Sequence, residues 1–271
     1  MRRRNSNAQG YVQGALSGGI TKAARTGYHA RTEPNPDNHC SLEQEMRIDT
    51  AIVNVVLRAL FRLLCRLDAA ELDRLPRSGP ALLVMNHINF LEAPLVAAFV
   101  SSPKLAALSK KENLHNPFYR YFAGLWNAIP IDRGGVDTES FNRCLQWIGN
   151  DGILGLAPEG TRSRDGVLRQ GKAGVAVLAQ RAGVPVWPVA HFGTENFWKN
   201  LKGFRRTPIS FRVGQPYMIE PAGSMTRTIR QEVADEIMAS IARLMPEEYR
   251  GPYSQAVSRK PEHLKSIILT S

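Results

Sequence analysis

The chain predicts an α/β fold built on a largely buried sheet. Two patterns carry that reading: between Leu75 and about residue 217, short apolar runs alternate with helical stretches, and several runs are apolar almost throughout. A strand covered on both faces reads as a continuous apolar run, whereas a half-exposed one alternates. Its 271 residues are enough to bury a sizeable core without metals or disulfides.

Residues 1–46 are rich in Gly, Asn, Ser, Thr and Ala and hold no sustained apolar period, so they are expected to be a disordered tail. They lack the apolar core of a secretory signal. Residues 47–70 change character. Asn54, Arg58, Arg62 and Arg66 recur four apart, forming one narrow polar stripe on a helix whose other positions from Ile52 to Leu67 are mostly apolar. Two uses fit this amphipathic helix: packing on its own domain with arginines in water, or lying in a membrane interface with arginines snorkelling to lipid phosphates.

The runs ALLVM (81–85), KLAALS (104–109), NAIPID (127–132), GILGLAP (152–158), PVWPVA (185–190) and ISFRVG (209–214) are predicted strands. Helical patterns fill the intervals as APLVAAFV, NPFYRYFAGLW, TESFNRCLQWI and KAGVAVLAQRAG. A last amphipathic helix is expected from roughly Ser224 to Leu244. The domain is read as 71–250, followed by a polar, loosely held tail at 251–271.

Composition narrows the function. Hydrophobic residues make up 43% and charged residues 22%, and no stretch approaches the ~20 apolar residues of a membrane-spanning helix. Three cysteines, Cys40, Cys65 and Cys144, exclude a disulfide framework and a CxxC metal or redox site. The net charge of +11 is spread almost evenly instead of forming a basic arm, so nucleic acid is not the expected partner. A diffuse positive field suits an anionic membrane or a phosphorylated substrate.

Chemistry concentrates after predicted strands, where α/β proteins place their sites. Asn86 and His87 follow ALLVM, and Glu92 lies five residues beyond. A carboxylate there can fold back to Nδ1 of the imidazole and leave Nε2 as a general base; capping by the histidine is the plainer alternative. His191 also follows a strand, while His29, His39, His115 and His263 lie in tails or a polar connector. Asp132 and Arg133 enter a Gly-Gly turn, where an arginine fork can bind phosphate or pair internally. Glu159, Gly160, Thr161 and Arg162 after GILGLAP offer backbone N–H groups, a hydroxyl and a guanidinium, a composition suited to an anion cradle or to a plain turn. Pro185 and Pro188 interrupt PVWPVA and point to an edge or bulge.

Together, in this order, these segments resemble the glycerolipid acyltransferase family, the group of the 1-acylglycerol-3-phosphate acyltransferases. Asn86, His87 and, with one extra methylene, Glu92 are similar to the N-H-x-x-x-x-D motif; Ile131–Arg133 to the strand-D-R motif; Glu159–Ser163 to E-G-T-R-S; Val184–Val189 to the proline-bearing last motif. The resemblance covers about residues 75–215. It implies a mixed sheet flanked by helices, and transfer of a fatty acyl group from an acyl-CoA or acyl carrier protein thioester to a lysophospholipid hydroxyl, with phosphatidic acid as the product of the usual acceptor.

The resemblance further implies His87 and Glu92 as the catalytic dyad and Arg133, Glu159, Gly160, Thr161 and Arg162 as acceptor-binding, with Lys172 nearby. Glu159, unable to bind phosphate itself, is expected to orient an arginine or a hydroxyl. Asn86, Asp132 and Pro188 are carried over as structural, and neither a metal nor a cofactor beyond the thioester co-substrate is expected. A thioesterase using the same dyad, or a silent lipid-surface module, are the competing readings. The helix at Ile52–Leu67, and Lys199, Lys202, Arg205 and Arg206 beside Phe197, Trp198 and Phe204, predict peripheral attachment to the cytoplasmic face of an anionic membrane.

Overall fold

The computed structural model describes residues 48–100, 102–132, 137–220 and 225–267. The tail expected at 1–46 lies outside these residues. The chain runs α1 (Ile48–Leu64), β1 (Cys65–Asp68), β2 (Ala81–Met85), α2 (Glu92–Val100), β3 (Leu105–Lys110), α3 (Pro117–Leu125), β4 (Ile129–Ile131) and α4 (Thr138–Gly149). It continues through β5 (Ile153–Leu156), α5 (Gly174–Ala182), β6 (Val186–Phe192), α6 (Phe197–Lys202), β7 (Thr207–Val213), β8 (Tyr217–Ile219), α7 (Arg227–Ala242) and β9 (Leu264–Ser266).

The sheet is mixed, with strand order β1-β7-β6-β2-β5-β3-β4, and β8 pairs with β6 and β9 beside this path. β2 lies parallel to both β5 and β6, so three strands deliver their carboxyl ends to one place. Its pleat divides the core. Leu82 and Val84 join a cluster with Ile148, Val175, Ile237 and Ile241 from α4, α5 and α7. Ala81 and Leu83 join Phe61, Leu91, Leu95 and Phe197 on the opposite face. Burial on both faces is why ALLVM carries no polar alternation.

Three expectations need correction. First, the helix ends at Leu64, and Cys65–Asp68 forms an edge strand parallel to β7, with Cys65 opposite Thr207. Arg206 makes the exit possible: its Nη2 donates to the carbonyls of Arg62 at 2.5 Å and Cys65 at 2.6 Å, satisfying the open end of α1. Of the two uses open to α1, its apolar arc does not pack wholly on the domain. Asn54 is 2% exposed and its Oδ1 accepts from Trp126 Nε1 at 3.3 Å, whereas Ile52, Val55, Val56 and Leu63 face outward.

Second, β6 is central and not an edge. Pro188 pairs with Val84 of β2, and its carbonyl accepts from Gly214 N at 2.9 Å on the other side. Its missing N–H falls between the stretch paired with β8 and the stretch paired with β7, where no ladder bond is lost. Third, residues 251–267 belong to the domain. Tyr253 is buried, its hydroxyl accepts from Gly171 N at 3.0 Å and donates to Asp235 at 2.9 Å, and β9 pairs with β8.

Candidate active site

The site begins where β2 runs out of backbone partners. Beyond the Met85–Val189 pair, the Asn86 side chain continues the ladder. Its Nδ2 donates to the His191 carbonyl at 2.8 Å, and its Oδ1 accepts from His191 N at 2.9 Å. With the chain so fixed, His87 emerges at the sheet's carboxyl end with its side chain 21% exposed.

Glu92, the first residue of α2, reaches back and organises the whole turn. Its Oε2 lies 3.0 Å from His87 Nδ1, and its Oε1 accepts from Ile88 N at 2.9 Å and Asn89 N at 2.5 Å. A carboxylate at a helix N-terminus is further favoured by the helix dipole. Burial pushes the Glu92 carboxyl up, but the His87 hydrogen bond, the electrostatic pull of the neighbouring His191 and His87 imidazoles and the Asn89 N–H outweigh it. The net shift is downward, so Glu92 stays ionised. An acceptor facing Nδ1 puts the His87 proton there and leaves the lone pair on Nε2, which has no hydrogen-bond partner among the described residues.

The turn after β5 is stitched to this one. Ser163 N donates to the His87 carbonyl at 2.7 Å and Arg164 N to the Ile88 carbonyl at 3.1 Å. Glu159 is 2% exposed, with Oε1 accepting from His87 N at 2.8 Å and Oε2 from Arg169 N at 2.9 Å. The expected job of orienting an arginine side chain or a hydroxyl is therefore replaced by another. Both its oxygens are spent on backbone amides, and it anchors the catalytic turn. Burial raises its carboxyl pKa against the pull of those two N–H donors.

Thr161 and Arg162 are exposed and make no hydrogen bond to a described residue. Gly160 has φ +65°, and a Cβ there would lie 2.9 Å from Lys172 Cε, so the exposed Lys172 side chain lies across it. Arg162 and Lys172 thus form a basic rim on the turn bonded to His87. Asp132 is exposed at the end of β4, and its N–H donates to Asp137 at 2.7 Å. Arg133 lies outside the described residues. β4 stands three strand spacings from β2, about 14 Å.

His191 is the group that sequence reading left aside. It is fully buried, with Nε2 3.1 Å from the Asn86 carbonyl and 3.6 Å from Glu92 Oε1. Both neighbours are acceptors, so Nε2 carries the proton, and buried Nδ1 has no partner. Burial lowers its pKa, only partly opposed by Glu92. The unfolded chain takes up this proton near pH ~6.5 while the folded chain resists, so stability is complete above that pH and falls below it by at most about 1.4 kcal/mol per pH unit. Urea unfolding between pH 7.5 and 5.5 is therefore expected to show a smaller loss in His191→Gln than in the parent. Equal losses would place the acid sensitivity elsewhere.

Neither described cysteine suits nucleophilic catalysis. Cys65 and Cys144 are buried, and desolvation pushes both thiols up to about 11. The site offers a base and a cationic rim.

Comparison with known proteins places similar sequences over the same part of the chain. Residues 66–191 match the family model described as Acyltransferase, a span that includes both stitched turns. A chloroplast 1-acyl-sn-glycerol-3-phosphate acyltransferase from Brassica napus is 31% identical over 132 residues, covering 47% of this chain and 37% of that protein. The enzyme of that name from Borreliella burgdorferi is 25% identical over 132 residues, covering 48% of this chain and 52% of that one. The chain thus spans roughly a third to a half of the length of these relatives. The crystal structure of the 1-acyl-sn-glycerophosphate acyltransferase from Thermotoga maritima shares the fold, with a TM-score of 0.53 at 18% identity over 79% of this chain and 81% of that one. Over residues 66–191 the chain is thus similar to the acyltransferases, with Glu92 at the position where the first motif of the glycerolipid acyltransferases usually carries aspartate.

Proposed function

We propose that this protein transfers a fatty acyl group from an acyl-CoA or acyl carrier protein thioester to the free hydroxyl of 1-acylglycerol-3-phosphate, giving phosphatidic acid. The observation that carries this reading is a histidine whose Nδ1 is held by an ionised carboxylate, on a turn bonded through its backbone to the turn that carries Thr161 and Arg162, with Lys172 across Gly160. His87 Nε2 takes the proton of the acceptor hydroxyl as its oxygen attacks the thioester carbonyl. The C–S bond breaks as the tetrahedral intermediate collapses, and the imidazolium returns the proton to the departing thiolate. Glu92 stabilises the imidazolium, while Arg162 and Lys172, with Arg133, hold the acceptor phosphate. Water in place of the acceptor would make the same dyad a thioesterase, a reaction with no use for the cationic rim. Pure protein with mixed acyl thioesters and a panel of lysolipids should yield acylated lysophosphatidate by mass spectrometry. Free fatty acid as the sole product would reject transfer.

The same reading places the protein at a membrane surface. No described helix is long and apolar enough to cross a bilayer. The outward arc of α1 instead exposes Ile52 at 59%, Val56 at 58% and Leu63 at 70%, and Phe118, Trp198 and Phe204 are exposed as well. Such an arc suits insertion into one leaflet at headgroup depth, on the cytoplasmic side that holds the thioester. Changing Ile52, Val56 and Leu63 together to Ser should weaken co-sedimentation with vesicles at least roughly tenfold, since each apolar side chain buried in lipid is worth ~1.5–3 kcal/mol. Sedimentation equal to the parent's would mean that this face does not meet lipid.

A further inference from the structure

A pocket of about 370 Å³ opens on the β1 side of the domain, lined by Arg58, Arg62, Arg77 and Arg206 and by a single carboxylate, Asp73. It shares no residue with the His87 site, and β1 stands three strand spacings from β2. Among the described residues, four guanidinium groups against one carboxylate leave an excess of three positive charges around one cavity. Ordinary surface arginines find carboxylates or spread apart.

What holds these arginines is mainly neutral. Arg206 donates to the carbonyls of Arg62 and Cys65 at 2.5 and 2.6 Å, and Arg58 Nε donates to the Asn54 carbonyl at 3.2 Å. Arg62 lies over the Phe99 ring at 5.6 Å. Arg77 donates to the Val100 carbonyl at 2.6 Å and pairs with Asp73 at 3.0 Å. A carbonyl fixes a guanidinium without neutralising it, so the charges are preorganised and largely uncompensated. Forks held this way suit a group with several anionic oxygens, and a phosphomonoester, carrying up to two charges, suits them better than a singly charged diester.

The pocket's position says where that group comes from. On a helix turning 100° per residue, Arg62 lies about 20° from Val55, one of the exposed apolar side chains of α1. Arg62 therefore borders the apolar arc, which brings the mouth of the pocket to the level of the headgroups when that arc enters a leaflet. We infer that the pocket binds the phosphomonoester headgroup of a membrane glycerolipid as a second, non-catalytic lipid site. The inference rests on the membrane reading above. The ligand belongs to the chemical class of both acceptor and product, so accumulating product would strengthen the enzyme's hold on the membrane that contains it.

The test uses the full chain and phosphatidylcholine vesicles carrying either phosphatidic acid or phosphatidylglycerol at matched surface charge. The parent should bind the phosphatidic acid vesicles roughly tenfold more tightly. The pair Arg62→Gln and Arg77→Gln should abolish that preference while keeping phosphatidylglycerol binding. Arg62→Gln alone, which removes no backbone bond, should reduce it. Arg162→Gln, on the catalytic rim, should retain it. Absence of preference in the parent, its survival in the pair, or its loss in Arg162→Gln would overturn the assignment, the last by placing recognition in the acceptor site. Abolition of the preference by millimolar inorganic phosphate would also overturn it, in favour of a free-anion site. The Ile52, Val56 and Leu63 variant separates the two failures: if it binds both vesicle types like the parent, the membrane reading itself falls.

Discussion

Replacing His87 by alanine is expected to lower kcat for acyl transfer by about 10²–10⁴-fold, the contribution of a positioned general base. The fold should survive. The imidazole is partly exposed and its one hydrogen-bond partner among the described residues is Glu92, which keeps the Ile88 and Asn89 amides after the substitution. Initial rates alongside thermal melts check both halves, and a folded variant keeping a tenth of the parent rate would rule out the dyad. Glu92→Gln should fall in the same range. Its Oε1 would stay with the two amides and its NH₂ would face Nδ1, forcing the His87 proton onto Nε2 and removing the lone pair that catalysis requires.

Glu159→Ala should produce the largest loss of stability among the site variants, roughly 1–3 kcal/mol, because two half-buried amides each lose their acceptor and can be only partly rehydrated. One of those amides is His87 N, so activity should fall together with stability. Glu159→Gln should be milder, since one oxygen still accepts while the NH₂ opposes the second donor. Urea unfolding of the three proteins checks the order. A Glu159→Ala variant as stable as the parent would show that the stitching between the two turns is dispensable.

The strands that build the site were legible because their apolar runs are short, continuous and followed by chemistry-bearing turns; ALLVM coincides with β2. What escaped the sequence was direction and long-range partnership. The polar stripe of α1 was visible as a stripe, yet periodicity cannot say which face turns inward. Asn54 went in because Trp126, far along the chain, supplies a donor. Cys65–Asp68 continued the helical spacing, and only β7 and the Arg206 side chain reveal a strand. Glu159 was recognised as a site residue but not as an anchor, since its partners are amides, which no side-chain pattern displays. His191 lies 105 residues from Asn86, and the strand register alone brings them together. The polar composition of residues 251–267 concealed Tyr253, one buried ring that ties the segment to α7 through Asp235.

The central claim is that His87 activates the acceptor and the acyl group passes in one transfer without residing on the protein. The direct measurement is the intact mass of the protein, quenched during a single turnover with acyl thioester, in the presence and absence of 1-acylglycerol-3-phosphate. The account predicts an unmodified protein mass in both samples, with diacyl product only where acceptor is present. A protein heavier by one acyl group, or release of free fatty acid at the same rate without acceptor, would contradict it.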